Sequence, residues 1–389
     1  MLEKMRLSWA LGLWRGLQQG AGPHAAGAAT IDVDSAWMLD EWQRELLERL
    51  LYQARGGSVR FVESTSGGGR SHFLQLFEGR AARSGFVLAR LRQERQSEYW
   101  RDPLALYREI AAGLMAPRST PSPGLPALAA SRSEEMAREG LYPELPVWGR
   151  ALELWVATRD LAAERYLLGE SPGSEGEPLG LHAGLDPRQA PLALRCLLNY
   201  LLYLGEKGLV VLGDGDGSVE ESEERATLES LRNLIDSCAA GGLPGLLLVF
   251  GVLPGFRQSL LPEYEALRQR LHNGFSLGPA GCLRPILVLE EQRRWRASRG
   301  VDFPTELFER LREVSGGLDP RLLEGSAALR RNAEALLAEL PWQADSPGAA
   351  RGLTRTIARW LSHPELALDS SEDEQRASQL GEFLESEAL

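Results

Sequence analysis

The chain has 389 residues, 43% of them hydrophobic and 25% charged, with a formal net charge of −11 at pH 7. That composition describes a folded chain with ample core, and the acidic balance argues against a surface that coats nucleic acid, which needs clustered cations. The three cysteines, Cys196, Cys238 and Cys282, lie far apart with no C-x-x-C spacing, so neither a disulfide framework nor a zinc site is expected and a reducing cytoplasm suits the chain.

In chain order, Met1 to Gln19 carries Lys4 and scattered apolar side chains, but Arg15 and polar residues interrupt it before a signal-peptide core forms. From Asp34, a suitable N-cap, Met38, Trp42, Leu46, Leu47, Leu50 and Leu51 recur at helical spacing through Gln53, where Gly56-Gly57 stops the helix. Ser58 to Glu63 reads as a strand, Ser71 to Arg83 as a helix and Gly85 to Leu91 as a second strand, which together predict a βαβ unit in a parallel sheet. A helix follows over Pro103 to Met115, and the Pro-, Ser- and Ala-rich stretch Ala116 to Arg132 is expected to be a surface excursion. Val147 to Leu168 is helical by pattern, and a Gly/Pro-rich connection over Gly169 to Pro191 leads to an apolar helix over Leu192 to Leu204. Gly208 to Asp214 and Pro244 to Val252 read as buried strands around a helix, Val219 to Ala239, expected to turn Leu228, Leu231, Leu234 and Ile235 inward. Beyond these the chain is largely helical, including Pro304 to Val314, Pro320 to Leu340 and Gly352 to Leu361, and it closes on an acidic tail from Pro364. The longest apolar run, Leu243 to Phe256, is too short to span a bilayer.

The segment Glu63-Ser64-Thr65-Ser66-Gly67-Gly68-Gly69-Arg70-Ser71-His72-Phe73-Leu74 has the outline of a phosphate-binding loop, with a strand before it and a helix after it. In the pattern G-x-x-x-x-G-K-[ST], backbone N–H groups cradle phosphates, lysine reaches the outer phosphates and the hydroxyl ligates Mg²⁺. Here Ser64 stands at the first glycine and Arg70 at the lysine, while Gly69 and Ser71 fit. Lys4 and Lys207 are the only lysines, so Arg70 can reflect arginine-rich composition as well as altered chemistry. A Cβ at position 64 is expected to distort the loop. Asp214, closing an apolar strand, has the form of a Walker B aspartate, yet Gly215 stands where an acid would orient the attacking water. Asp216 is a substitute for that acid or, with Gly217, part of an ordinary turn; Asp214 itself is a Mg²⁺ ligand or a turn cap.

Taken with Arg60-Phe61-Val62, Gly85 to Ala89, Leu231 to Asp236, and Leu243 to Phe250 with Pro254 beyond, these segments resemble the P-loop ATP-binding proteins of bacteriophage-exclusion (BREX) defence systems, the BrxD-like group, related to the AAA+ and STAND NTPases. The resemblance implies ATP binding in a RecA/AAA-like core and service in a multi-protein anti-phage system. Four positions depart from the family pattern: Ser64, Arg70, Gly215 and Leu253, the last standing where a polar residue senses the γ-phosphate. His72 belongs to the family's loop-to-helix sequence and is read as packing. Arg321, in Asp319-Pro320-Arg321-Leu322, matches the family's lid-helix start and is a nucleotide sensor or a surface arginine. His24, His182, His272 and His363 have no ligand spacing.

The expected architecture is an α/β P-loop NTPase of AAA+ type with a mainly parallel sheet. Residues 1–57 would be a helical segment, 58–280 the core with a helical insertion at about 103–204, 281–365 a helical lid, and 366–389 the acidic tail. The expected function is that of a degenerate ATPase-like defence subunit with no catalytic residue assigned, working by homo- or hetero-oligomeric assembly in the cytoplasm. Its degenerate nucleotide site would comprise Ser64, Gly67, Gly68, Gly69, Arg70, Ser71 and His72, with ATP held weakly and Mg²⁺ ligated by Ser71 and Asp214. The alternative is an active ATP-hydrolysing defence protein stimulated by DNA or a partner. Direct DNA contact through Arg293-Arg294-Trp295-Arg296 and Arg299 is not favoured, because Glu290 and Glu291 adjoin that cluster, and no membrane contact is expected.

Overall fold

The computed structural model describes residues 35–65, 68–116, 123–131, 142–272 and 282–297. Gly67, Arg299, Arg321, the helices expected beyond Pro304 and the acidic tail lie outside those residues, as does the N-terminal stretch before Ser35. The described residues fall into two compact units, one with 35–37, 64–76 and 288–297, the other with Met38–Glu63 and Phe77–Leu287.

Five strands make one parallel sheet: β1 (Ser58–Glu63), β2 (Val87–Leu91), β3 (Leu209–Gly213), β4 (Leu246–Val252) and β5 (Ile286–Val288), in the order β2-β3-β4-β1-β5. The expected strands near Ser58, Gly85, Gly208 and Pro244 are all present; β5, three residues long, was not foreseen. β3 and β4 are buried along their whole length, as parallel strands covered on both faces must be. Glu63 lies opposite Val252 and Leu91 opposite Gly213, so the carboxyl ends of β1 to β4 share one edge. The chain leaves β1 for the far edge at β2, then returns through β3 and β4 and passes β1 to reach β5. With right-handed crossovers, connections travelling in opposite directions must lie on opposite faces. The switch therefore falls between the carboxyl ends of β1 and β4, the position at which open α/β sheets bind ligands.

The helices largely follow the hydrophobic pattern. Helix α1 (Ala36–Trp42) continues in wider π-type turns over Gln43–Gln53 with Leu46, Leu47 and Leu51 inward. Helix α2 (Arg70–Arg83) follows β1, and the Trp42 ring meets Phe77 edge-on at 5.1 Å. Between β2 and β3 come α3 (Gln96–Arg101), α4 (Pro103–Gly113), α5 (Leu125–Ser131), α6 (Pro146–Thr158), α7 (Leu161–Leu167) and α8 (Ala190–Tyr203). Asp102 caps α4 by accepting from the Leu104 N–H at 2.8 Å. The Tyr107 hydroxyl ties three of these helices together, donating to the Leu167 carbonyl at 2.6 Å and accepting from the Trp148 indole at 2.8 Å.

Three expectations need correction. The stretch from Ala116 to Arg132 is not wholly a surface excursion, because α5 buries Leu125, Pro126, Leu128 and Ala129. Val147 to Leu168 is two helices, broken where Arg159 takes φ 58° and Asp160 caps α7 through the Ala162 and Ala163 N–H groups. Helix α9 (Glu224–Ala239) buries Leu228 and Leu231, but its inward face is completed by Thr227 and Cys238, while Leu234 and Ile235 are half-buried. Helix α9 packs against β1 and α3, and the chain continues through α10 (Glu265–His272) and β5 into α11 (Leu289–Ala297). No helix among the described residues is long and apolar enough to cross a membrane.

Candidate functional site

The glycine-rich loop leaves β1 at Ser64, which is fully buried. Among the described residues only Arg55 and Arg159 combine a side chain with positive φ, so Ser64 sits on backbone that any residue can adopt. The loop closes with the Gly68 N–H donating to the Thr65 carbonyl at 2.9 Å. Gly69, at φ 90°, needs glycine's freedom and starts α2 by accepting from the Phe73 N–H at 2.9 Å. Arg70, Ser71 and His72 form the first turn of α2 and are half-buried.

The loop already holds an anion. One carboxylate oxygen of Glu290, in the first turn of α11, accepts the Thr65 N–H at 2.8 Å, the Ser64 hydroxyl at 2.9 Å and the Thr65 hydroxyl at 3.0 Å. The backbone wraps closely around this oxygen. A Cβ on Gly68 would lie 2.8 Å from it and 2.0 Å from the Ser64 Oγ, so a side chain there would displace the Ser64 hydroxyl and crowd the carboxylate. Backbone and hydroxyl donors converging on one oxygen are the arrangement by which loops hold phosphates and carboxylates.

The loop after β3 carries Asp214 and Asp216. Asp214 is half-buried and near Arg90 of β2. The Arg90 pKa is raised above its ordinary value, first by the side-chain bond to Glu78 and also by the charge of Asp214. Gly215 donates its N–H to the Gln96 Oε1 at 2.6 Å, and the Gln96 Nε2 donates to the Gly251 carbonyl at 2.8 Å. Gln96, only 3% exposed, thus joins the end of β3 to β4 and fills the volume a side chain at 215 would need. A Cβ there would lie 2.4 Å from Oε1, 2.6 Å from Cδ and 2.7 Å from the Gln96 Cβ. Asp216 is exposed, and its Oδ1 accepts the Ser218 N–H at 2.8 Å and the Ser218 hydroxyl at 2.6 Å, an Asx turn. The Asp216 carbonyl accepts the Leu253 N–H at 2.8 Å, and the Leu253 carbonyl accepts the Phe256 N–H at 3.0 Å. Leu253 is thus the first residue of a turn leaving β4.

Glu63, the last residue of β1, is almost wholly buried and receives the Arg257 guanidinium as a fork, with three bonds of 2.9 to 3.0 Å. Beneath it Phe61 stacks on Phe256 at 4.9 Å, and Trp100 meets Phe250 edge-on at 5.5 Å. This floor holds the β1 and β4 ends of the sheet in register.

Of the residues singled out from sequence, Ser64 follows β1, Gly68 and Gly69 lead into α2, Arg70, Ser71 and His72 open that helix, and Asp214 and Asp216 share the turn after β3. Gln96, Glu290 and the Glu63–Arg257 pair were missed. The loop's donor set fits an anion. Among the described residues no group of three or more His, Cys, Asp or Glu side chains stands ready for a metal. No protein-family model, curated protein or solved structure matches the chain, so its function is argued from the geometry of these loops.

Proposed function

We propose that the chain is a degenerate P-loop ATPase-like subunit that binds ATP weakly, hydrolyses little or none, and works through assembly with partner proteins in a bacterial anti-phage defence complex. The observation that carries this reading is Gln96: it occupies the volume in which a water-orienting acid at position 215 would stand. A strand, glycine loop and helix in succession, with that strand beside the sheet's switch point, support descent from a nucleotide-binding core. Leu253, apolar and turned into backbone bonds, supplies no polar group at the end of β4. Asp216, the one candidate replacement acid, is committed to Ser218. The defence setting comes from the resemblance to BREX proteins.

Purified full-length chain, assayed with Mg·ATP alone and with duplex DNA, is expected to release phosphate no faster than its Asp214→Ala variant. Turnover near 1 s⁻¹ or above, in the range ordinary for phosphoryl-transfer enzymes, that is abolished by Ser71→Ala or Asp214→Ala would overturn the reading in favour of an active ATPase. In cells carrying the complete defence system, deletion of the chain should restore phage plaquing while Asp214→Ala should not.

A further inference from the structure

We infer that Glu290 is a tethered competitor for phosphate: an autoinhibitory carboxylate that closes the glycine-rich loop until α11 withdraws it. The inference rests on the reading of this loop as a phosphate cradle, and it adds a reason for weak binding that lies outside the four departures from the motif.

Three donors from two adjacent residues, Ser64 Oγ, Thr65 N and Thr65 Oγ1, converge on one Glu290 oxygen at 2.8 to 3.0 Å. Gly68 comes so close to that oxygen that a side chain at its position would crowd the carboxylate and displace the Ser64 hydroxyl. The loop is thus shaped around an oxyanion that belongs to the chain itself. A phosphate oxygen seeking those donors meets them already engaged and meets a like charge within a few ångströms, where repulsion disfavours a second anion. Glu290 reaches the loop from a separate element, the first turn of α11 directly after β5, and 225 residues separate it from Thr65. The contact can therefore be broken by moving one helix turn without unfolding the loop. Gly69 and the first turn of α2 lie next in the chain, offering the partial positive charge that helix N-termini present to phosphates. In this arrangement the site is occluded rather than destroyed, and whatever displaces α11 controls access.

The test is calorimetric titration of the full chain with Mg·ATP and, separately, with pyrophosphate. Glu290→Gln keeps the acceptor oxygen and removes the charge, so it should fold normally and bind both probes at least tenfold more tightly than wild type, a gain of about 1.4 kcal/mol. Glu290→Ala should show the same gain, together with faster hydrogen exchange at the Thr65 amide. Adding Ser71→Ala to either variant should weaken Mg·ATP binding again, placing the gain in the loop. If the two Glu290 variants bind no better than wild type, whether all bind or none does, Glu290 is not a competitor and the inference fails. That outcome leaves the degenerate-ATPase reading standing, since its own failure is registered as turnover.

Discussion

At the scale of single residues, the decisive substitution is hidden in a partner. Gly215 has an ordinary φ, so no backbone strain demands glycine there; the demand comes from Gln96, whose amide satisfies the Gly215 N–H and the Gly251 carbonyl together. A buried amide so used is hard to move, because displacing it strands two backbone groups, each at about 1–3 kcal/mol. Gly215→Ala should therefore destabilise the protein by about 1–3 kcal/mol, the usual cost of forcing atoms into a filled core. Gln96→Ala should cost a similar amount through the stranded groups. The double variant should be more stable than the sum of the two, by about 0.5–3 kcal/mol, because removing Gln96 makes room for the new methyl. Urea unfolding of the four proteins measures this coupling, and strict additivity would show that Gln96 does not enforce the glycine.

At the scale of elements, the ends of β1 and β4 are locked by the segment that follows β4. Phe256 stacks on Phe61, and Arg257 forks onto Glu63, whose side chain is 2% exposed while that of Arg257 is 41% exposed. The carboxylate is desolvated, but water reaches the guanidinium, so the pair falls between the strong buried case and the weak surface one. We expect Arg257→Ala to lower stability by about 1–3 kcal/mol in urea unfolding. Arg257→Lys should recover less than half of that, since an ammonium cannot reproduce the fork. A loss within 0.5 kcal/mol for Arg257→Ala, the range of ordinary surface changes, would mean that the pair contributes no lock. How legible these elements were follows from their range in sequence. Strands β1 to β4 announced themselves as apolar runs bounded by glycines, and the loop by the spacing of Gly69 and Ser71. Strand β5 was too short to carry a period, α5 was masked by its Pro- and Ala-rich surroundings, and the break at Arg159 has neither glycine nor proline to mark it. Gln96 and Glu290 act on partners 119 and 225 residues away, a relation that no local pattern encodes. The same holds for Glu63, whose partner Arg257 lies 194 residues on.

At the scale of the whole molecule, a parallel sheet covered on both faces leaves ionisable side chains far from water, and these set the response to pH. All three cysteines are buried. Burial pushes the Cys196 and Cys238 thiols up to about 12 and Cys282 up to about 11. It does the same to Tyr166, raised to about 12, and carries Tyr107 and Tyr142 higher still. For each group the folded pKa lies above the unfolded value of about 8.5 for a thiol or about 10 for a phenol. Below about pH 8 both states keep the proton, so the contribution to stability is constant. As pH rises through 9 the unfolded chain releases protons that the folded chain retains. Stability then falls, by up to about 1.4 kcal/mol per pH unit for each group titrating in the unfolded state alone, until the folded groups also ionise. The net charge of −11 grows more negative over the same window and adds self-repulsion. The urea midpoint should therefore be flat from about pH 7 to 8.5 and decline steeply between about 9 and 12. At pH 8 iodoacetamide should label none of the three cysteines in the native protein and all three in urea, because the nucleophile is the thiolate and burial suppresses it. A flat midpoint to pH 11 would show that burial does not hold these thiols and phenols protonated, and prompt labelling of Cys238 in the native state would show that α9 does not cover it.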